Sequence, residues 1–429
     1  MKRKTDAAYK RNYWALALEG SFFMGGIALM STSGSIALFI NAMTGSKQLI
    51  GLAVTLQALC ILLGQLFTAP MVRSVRRIPT LLLRAMLVQR VLPLIIAVPL
   101  FMYASPMTTV VVFLVLYSTF WLIDGSLAAF WGELCVRALE PSDRGHMMGM
   151  QVALGGAASL LTGLGLTRLL AMPNLSDHTK YGLVFVLTSV ILLFSIFFMR
   201  MVKDPSPNYF PEKPRFKQYY VRIPAIIRER KHLRRALCAR IPAFIAFSSI
   251  SFMMVFGISH VPGLTESQIS WLVYANIIGG LIGGVVLAEI SRRYGSKANV
   301  NCCAIGALLS LGMALSLYFH PGLGYIWLFL TCTLASVSAN SWFGYLNYFL
   351  DIAPEKERSV FQVIGTCVGI PFSFSGYVLG AVIDRYGFVF IFIAGGICAV
   401  AAIILNSRLL SKAEIDRLNA SSLKEACPD

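Results

Sequence analysis

The sequence predicts an all-α membrane protein of twelve transmembrane helices, arranged as two pseudo-symmetric six-helix bundles, and three observations lead there. Of its 429 residues, 57% are hydrophobic and only 13% are charged, whereas a soluble chain carries about a quarter charged residues. The apolar residues come in blocks of roughly 20–28, each long enough to cross a ~30 Å hydrocarbon core as a helix. Finally, Lys180-Tyr181-Gly182-Leu183-Val184-Phe185-Val186 returns half a chain later as Arg385-Tyr386-Gly387-Phe388-Val389-Phe390-Ile391. A repeat of that period in so apolar a chain points to two halves of one bundle.

Turn signals separate the blocks: Thr44-Gly45-Ser46, Ala104-Ser105-Pro106, Pro173-Asn174, Val261-Pro262-Gly263 and Pro321-Gly322. After a tail (1–12), they place spans 1–6 at 13–42, 48–72, 79–103, 107–138, 144–171 and 181–202. Spans 7–12 fall at 237–260, 266–291, 298–318, 322–352, 358–383 and 386–408. The bundles are then 13–202 and 237–408, with a basic linker at 203–236 and a tail at 409–429. The first apolar run is too long for a signal-peptide core and lacks a small-residue cleavage site, so it is expected to remain as span 1. In the linker, Tyr219, Ile223, Ile226, Arg230 and Leu233 recur at helical spacing, as in an amphipathic helix on a membrane surface; an irregular linker is the alternative.

The formal net charge of +17 follows the topology. Lys2, Arg3, Lys4, Lys10 and Arg11 precede span 1, Arg73, Arg76 and Arg77 follow span 2, and Arg292, Arg293 and Lys297 follow span 8. From Arg200 to Arg240 there are twelve Lys/Arg against Asp204, Glu212 and Glu229. The alternate loops hold mainly Lys47, Lys180 and Arg385. That asymmetry puts both termini and the linker in the cytoplasm of a cell-membrane protein. A basic rim meeting membrane lipids accounts for the charge without nucleic acid. The nine cysteines lie mostly within apolar runs and form no CxxC or Cys/His ligand spacing, so neither metal nor disulfide is expected. No phosphate-binding loop, nucleophile elbow or zinc-binding helix motif occurs. The chain is therefore expected to be no enzyme, to use no cofactor and to lack a primary ATP-driven pump's site.

Two loop segments repeat between the halves: Arg76-Arg77-Ile78-Pro79-Thr80 with Arg292-Arg293-Tyr294-Gly295-Ser296, and Glu140-Pro141-Ser142-Asp143-Arg144-Gly145 with Ala353-Pro354-Glu355-Lys356-Glu357-Arg358-Ser359. With the six-plus-six layout and the basic middle loop, they make residues 10–410 resemble the major facilitator superfamily of secondary transporters. That family's loop pattern is Gly, acid, Arg, Gly and further cations. Here Arg292 stands at the acid's place, with Glu289 one turn earlier, and Pro79 replaces the second Gly in the first half. The resemblance implies gating loops carrying Arg76, Arg77, Arg144, Glu289, Arg292, Arg293 and Arg358. It also implies a cavity lined by spans 1, 4, 7 and 10, and gates between spans 2 and 11 and between spans 5 and 8. Drug/proton antiporters of the family carry a Gly-Pro pair in span 5, which has Gly155, Gly156, Gly163 and Gly165 but no internal proline.

Ionisable residues inside spans cost about 2.5–3.5 kcal/mol on insertion scales and mark function or packing. Arg90 in span 3 and Asp124 in span 4 lie near mid-depth on adjacent helices, so an intramembrane ion pair is expected, either permanent or broken during transport. Tyr117, Trp121, Asp124, Ala128 and Trp131 share one helix face, either an aromatic cavity wall or core. In span 10, Ser338, Trp342, Tyr345 and Phe349 form one face, and Asn340, Gly344, Asn347 and Asp351 another. Tyr117, Trp121, Asp124, Asn340, Tyr345 and Asn347 are the substrate-binding candidates. Gln57, Asn276, Gln362 and the serines Ser248, Ser249 and Ser251 are weaker ones. Glu19 sits in a Gly-rich part of span 1; low dielectric penalises a carboxylate's charged form, making Glu19 and Asp124 the candidate proton-coupling acids, with packing as the alternative for Glu19.

The expected function is secondary transport of a small solute by alternating access, proton-coupled or as a uniporter, by a monomer in the cytoplasmic membrane. Multidrug efflux fits the aromatic stripe and is disfavoured by span 5. A lipid scramblase or sensor on the same scaffold is the rival class, and the short tails disfavour the sensor.

Overall fold

The computed structural model describes residues 7–417 apart from 33, 205–220, 222 and 354–357. The side chains of Arg144, Trp342, Arg358 and Gln362 lie outside the described residues, as do the tails beyond 7 and 417 and most of the linker. Among the described residues there is no strand; the regular elements are all helices. Among those residues eleven helical segments are long and apolar enough to cross a membrane.

Spans 2–6 form at Lys47–Thr68, Ile78–Phe101, Pro106–Ala138, Pro141–Leu170 and Asp177–Met201, each within a few residues of expectation. Spans 8, 9 and 12 form at Glu266–Tyr294, Ser296–Phe319 and Phe388–Ser407. Their starts have chemical causes. Ser46, Ser105 and Ser176 each accept the backbone N–H three residues on, and Thr265 with Gln268 closes a capping box.

Four spans expected to be continuous are broken. Span 1 is Ala7–Ala28 plus Ser35–Thr44, span 7 is Lys231–Ile250 plus Met253–His260, span 10 is Gly324–Ser338 plus Ser341–Asp351, and span 11 is Arg358–Phe372 plus Ser375–Tyr386. At each break a polar side chain takes a carbonyl. The Ser35 hydroxyl donates to Leu29 O (2.5 Å), and the hydroxyls of Ser248, Ser249 and Ser251 donate to the carbonyls four residues back. Asn340 donates to Val337 O (3.2 Å), and Ser373 to Gly369 O (3.1 Å), next to Pro371, which has no N–H to give. A polar segment therefore sits inside each apolar run without shortening it. In the linker, the described helix is Ile223–Glu229; Arg230 is extended, and the helix of span 7 already begins at Lys231, not 237.

Within the first half, span 1 packs on spans 5 and 6, span 4 on spans 2 and 3, and span 3 on span 6. In the second half, span 12 packs on spans 7 and 9, and span 10 on spans 8 and 9. Two main seams join the halves, span 2 against span 11 and span 5 against span 8, with a smaller contact of Met253–His260 of span 7 on Ser35–Thr44 of span 1. Large apolar residues such as Val98, Leu161, Phe197, Ile326 and Ile397 stay exposed on helix flanks, a belt suited to lipid.

Candidate functional site

A buried polar network joins spans 1, 3, 4 and 6 of the first half. Glu19 lies twelve residues after Ala7, about 18 Å along the helix. Gln89, Arg90 and Glu19 are all below 5% exposed, and Asp124 is half-buried. Arg90 Nη2 lies 3.6 Å from Glu19 Oε1, Nε donates to Ser195 Oγ (3.2 Å), and Nη1 donates to Gln89 Oε1. Gln89 Nε2 donates to Asp124 Oδ1 (3.1 Å) and Phe120 O (3.2 Å). Trp131 Nε1 donates to Glu19 Oε2 (2.9 Å), and the guanidinium lies 4.5 Å from the centre of the Phe23 ring.

The expected direct pair of Arg90 with Asp124 is therefore not what forms. Arg90 pairs with Glu19, and Asp124 is reached through Gln89. Matching depth brought positions 90 and 124 to one level, but the side-chain directions of the two helices let Gln89 take the bridging place.

Tyr117 and Trp121 lie in the apolar core rather than on an open wall. Tyr117 stacks on Phe113 with centroids 4.9 Å apart, and its hydroxyl donates to Gln57 Oε1 (3.4 Å), which Thr32 of the span 1 break also reaches. The span 10 candidates face neighbouring helices. Asn340 points at span 8, with Gly280 O at 3.5 Å, and the Tyr345 hydroxyl sits 3.0 Å from Ala239 O and 2.9 Å from Asn406 Oδ1. Gly344 meets Asn299, and Asp351 accepts from Ser296 (2.6 Å), so the face that includes half-buried Asn347 meets span 9.

Arg76 and Arg77 are exposed; Glu289 binds Arg292 (2.7 and 2.6 Å) and Arg293 within its own helix, also exposed. Near the loop after span 2, Arg137 instead pairs with Glu133 (3.1 Å) and Asp204 (3.6 Å) and donates to Val75 O (3.1 Å).

On the face opposite the termini, Asp384 clamps the two halves. Its Oδ1 accepts Lys47 N–H (3.1 Å), and Oδ2 accepts Gln48 N–H (2.8 Å) and the Ser46 hydroxyl (3.4 Å). A carboxylate there completes the first turn of span 2 and complements its helix dipole. Beside it, Gln48 Nε2 donates to Tyr377 Oη (2.7 Å) and Tyr377 N–H to Thr55 Oγ1 (3.0 Å). Among the described residues no cluster of His, Cys, Asp and Glu could hold a metal.

Residues 20–376 match the family model described as Major Facilitator Superfamily. The chain belongs to that superfamily. Its members are carriers, so this is a transport protein and not an enzyme. Among solved structures it resembles a D-xylose–proton symporter (TM-score 0.70, 13% identity, covering 95% of this chain and 99% of that one). It also resembles the fucose–proton symporter of E. coli (TM-score 0.61, 14% identity, 93% and 98% covered) and a nucleoside transporter (TM-score 0.63, 12% identity, 92% and 98% covered). At such identities the likeness is one of fold. No curated protein matched the chain.

Gln89, Ser195, Arg137, Asp384 and Arg240 are polar residues that the sequence reading passed over. Gln89 had a signal, an amide directly beside a mid-span arginine; Asp384 lay one residue beyond the expected end of span 11.

Proposed function

We propose that the chain is a proton-coupled secondary transporter of a small solute, working by alternating access in the cytoplasmic membrane with both termini in the cytoplasm. The carrying observation is that one guanidinium, Arg90, pairs with the carboxylate of Glu19 and is joined through Gln89 to a second, Asp124, inside the spans. With both acids ionised the network holds one excess negative charge, which is costly away from water. One bound proton makes it neutral. Loading and releasing that proton changes which carboxylate Arg90 pairs with, through Gln89, and Trp131 and Asp124 carry the change along span 4. The proposed moving bodies are residues 13–202 and 237–408, meeting at the 2/11 and 5/8 seams; the Asp384 clamp holds the face opposite the termini closed. That solved structures of the same fold are named as proton symporters supports the coupling.

The test uses purified protein in liposomes with an internal pH dye and a panel of sugars, nucleosides and organic acids. A solute that moves protons with the wild type should move none with Glu19→Gln or Asp124→Asn. If both variants keep full solute-dependent proton flux, the proton-coupling assignment fails.

A further inference from the structure

We propose that Arg240 of span 7 is an anion-binding residue, receiving the carboxylate or phosphate oxygens of a small solute. The proposal deepens the transport reading and rests on it. Arg240 is the tenth residue of the helix that starts at Lys231, and it is half-buried. Its guanidinium carbon lies 5.1 Å from the Phe244 ring centre and 5.6 Å from that of Phe349 on span 10. Span 11 contributes Gly365, where a Cβ would stand 3.1 Å from Arg240 Nη1.

This arginine, unlike Arg90 and Arg137, has no partner among the described residues. Among the described residues no carboxylate lies within 4 Å of it, and no carbonyl or side chain accepts any of its five N–H donors. Arg90 and Arg137 have carboxylates and further acceptors. A half-buried guanidinium without a counter-charge is costly, and two ring faces offset only part of that cost. A planar fork of unused donors matches a carboxylate or phosphate, which it binds in bidentate fashion.

Position argues for a solute over a lipid headgroup. Arg240, Phe244, Phe247 and Ser251 follow one another at steps of four, three and four, so they share a helix face. Phe247 and Ser251 line a crevice with Asn276 of span 8 and Ser336 and Ala339 of span 10, at the breaks of spans 7 and 10. Toward the first half, Gly369 of span 11 meets both Phe244 and Leu62 of span 2, so this face is turned to the seam between halves and away from the lipid belt. The second half thus offers an unpaired cation to that interior, and the first half offers a network with one excess acid.

The experiment is thermal unfolding of the purified full chain with succinate, citrate, inorganic phosphate or glycerol 3-phosphate, against chloride at equal ionic strength. The same titration with phosphatidylglycerol in mixed micelles separates a headgroup from a free anion. At least one soluble oxyanion should raise the wild-type midpoint, Arg240→Gln should abolish that rise, and Arg240→Lys should raise the half-saturating concentration about tenfold, as expected for loss of the bidentate fork. The proposal is overturned if no soluble oxyanion outperforms chloride, if Arg240→Gln keeps the full rise, or if only phosphatidylglycerol stabilises in an Arg240-dependent way. Should Arg240→Gln not fold, an unchanged half-saturating concentration in Arg240→Lys overturns it equally. Anion binding lost in Arg240→Gln beside proton flux still lost in Glu19→Gln upholds both readings. Anion binding without any solute flux upholds the site and removes the transport reading.

Discussion

Replacing Gly51 with alanine tests whether the 2/11 seam is a movable contact. A Cβ on Gly51 would stand 2.0 Å from Gly376 O and 2.7 Å from its carbonyl carbon, and a Cβ on Gly376 would stand 2.9 Å from Gly51 O. The obstacle is helix backbone, which cannot rotate aside as a side chain does. The two helices must therefore part by roughly 1 Å to reach normal contact. The clamp nearby tolerates little of that, because Asp384 holds Lys47 N–H at 3.1 Å and Gln48 N–H at 2.8 Å. Overpacking of this kind costs about 1–3 kcal/mol. If the cost falls only on the state closed at this face, the open population should rise by about 5- to 150-fold. Val54 reports it, being 7% exposed and in contact with the Gly376 position. In a background without native cysteines, Val54→Cys should react with a water-soluble maleimide faster by that factor once Gly51→Ala is added. An unchanged or slower rate, with the protein still folded, would refute the reasoning.

Three further outcomes follow from the packing. Arg90→Met leaves Glu19 and Asp124 without their cation and should cost about 3–5 kcal/mol in denaturant unfolding; adding Glu19→Gln should recover part of the loss. Tyr345→Phe removes a hydroxyl placed between Ala239 O and Asn406 and should lower stability by about 1–3 kcal/mol, read as a lower midpoint. Thr265→Ala removes the capping box of span 8 and should cost about 1 kcal/mol, leaving anion binding at Arg240 unchanged.

How legible each feature was depended on how local its cause is. Spans 2–6, 8, 9 and 12 announce themselves because an apolar run and a turn residue bound each. The four breaks are hidden because Ser35, Ser251, Asn340 and Ser373 sit inside runs apolar enough to read as continuous. The partner of Arg90 was misjudged for a different reason: rise per residue fixes depth, but azimuth depends on tertiary packing, and azimuth decided for Glu19 and Gln89. Arg240 is absorbed into a basic run with Arg234 and Arg235, since charge counting cannot separate a cation packed between helices from one on an open surface. The substrate stripe of Tyr117 and Trp121 gave the right helix face for contact with other protein, but that contact is core.

The aromatic echo at 180–186 and 385–391 locates the doubling more loosely than its letters suggest. Tyr181 and Phe185 of span 6 pack on Phe39 of span 1, with centroids 5.3 and 5.5 Å apart. In the second half, Phe388 and Phe392 of span 12 pack on Phe256 of span 7, at 5.4 and 5.0 Å. The letter-for-letter counterparts, Tyr386 and Phe390, are instead 58% and 59% exposed. The backbones differ as well: Gly182 lies inside the helix Asp177–Met201, whereas Gly387 turns at φ 82° just before Phe388. Packing thus repeats with an offset two residues longer than the echo, and two residues turn a helix face by about 200°. What the halves share is an arrangement: the last span sets two rings, four residues apart, against the outer segment of a broken first span. The breaks in spans 1 and 7 belong to that arrangement, because Phe39 and Phe256 both lie on the short helix beyond the break. Symmetry here is kept by which helix face must be buried, and the polar residues at the breaks and along the spans are free to differ, leaving an acid-rich network in one half and a lone arginine in the other.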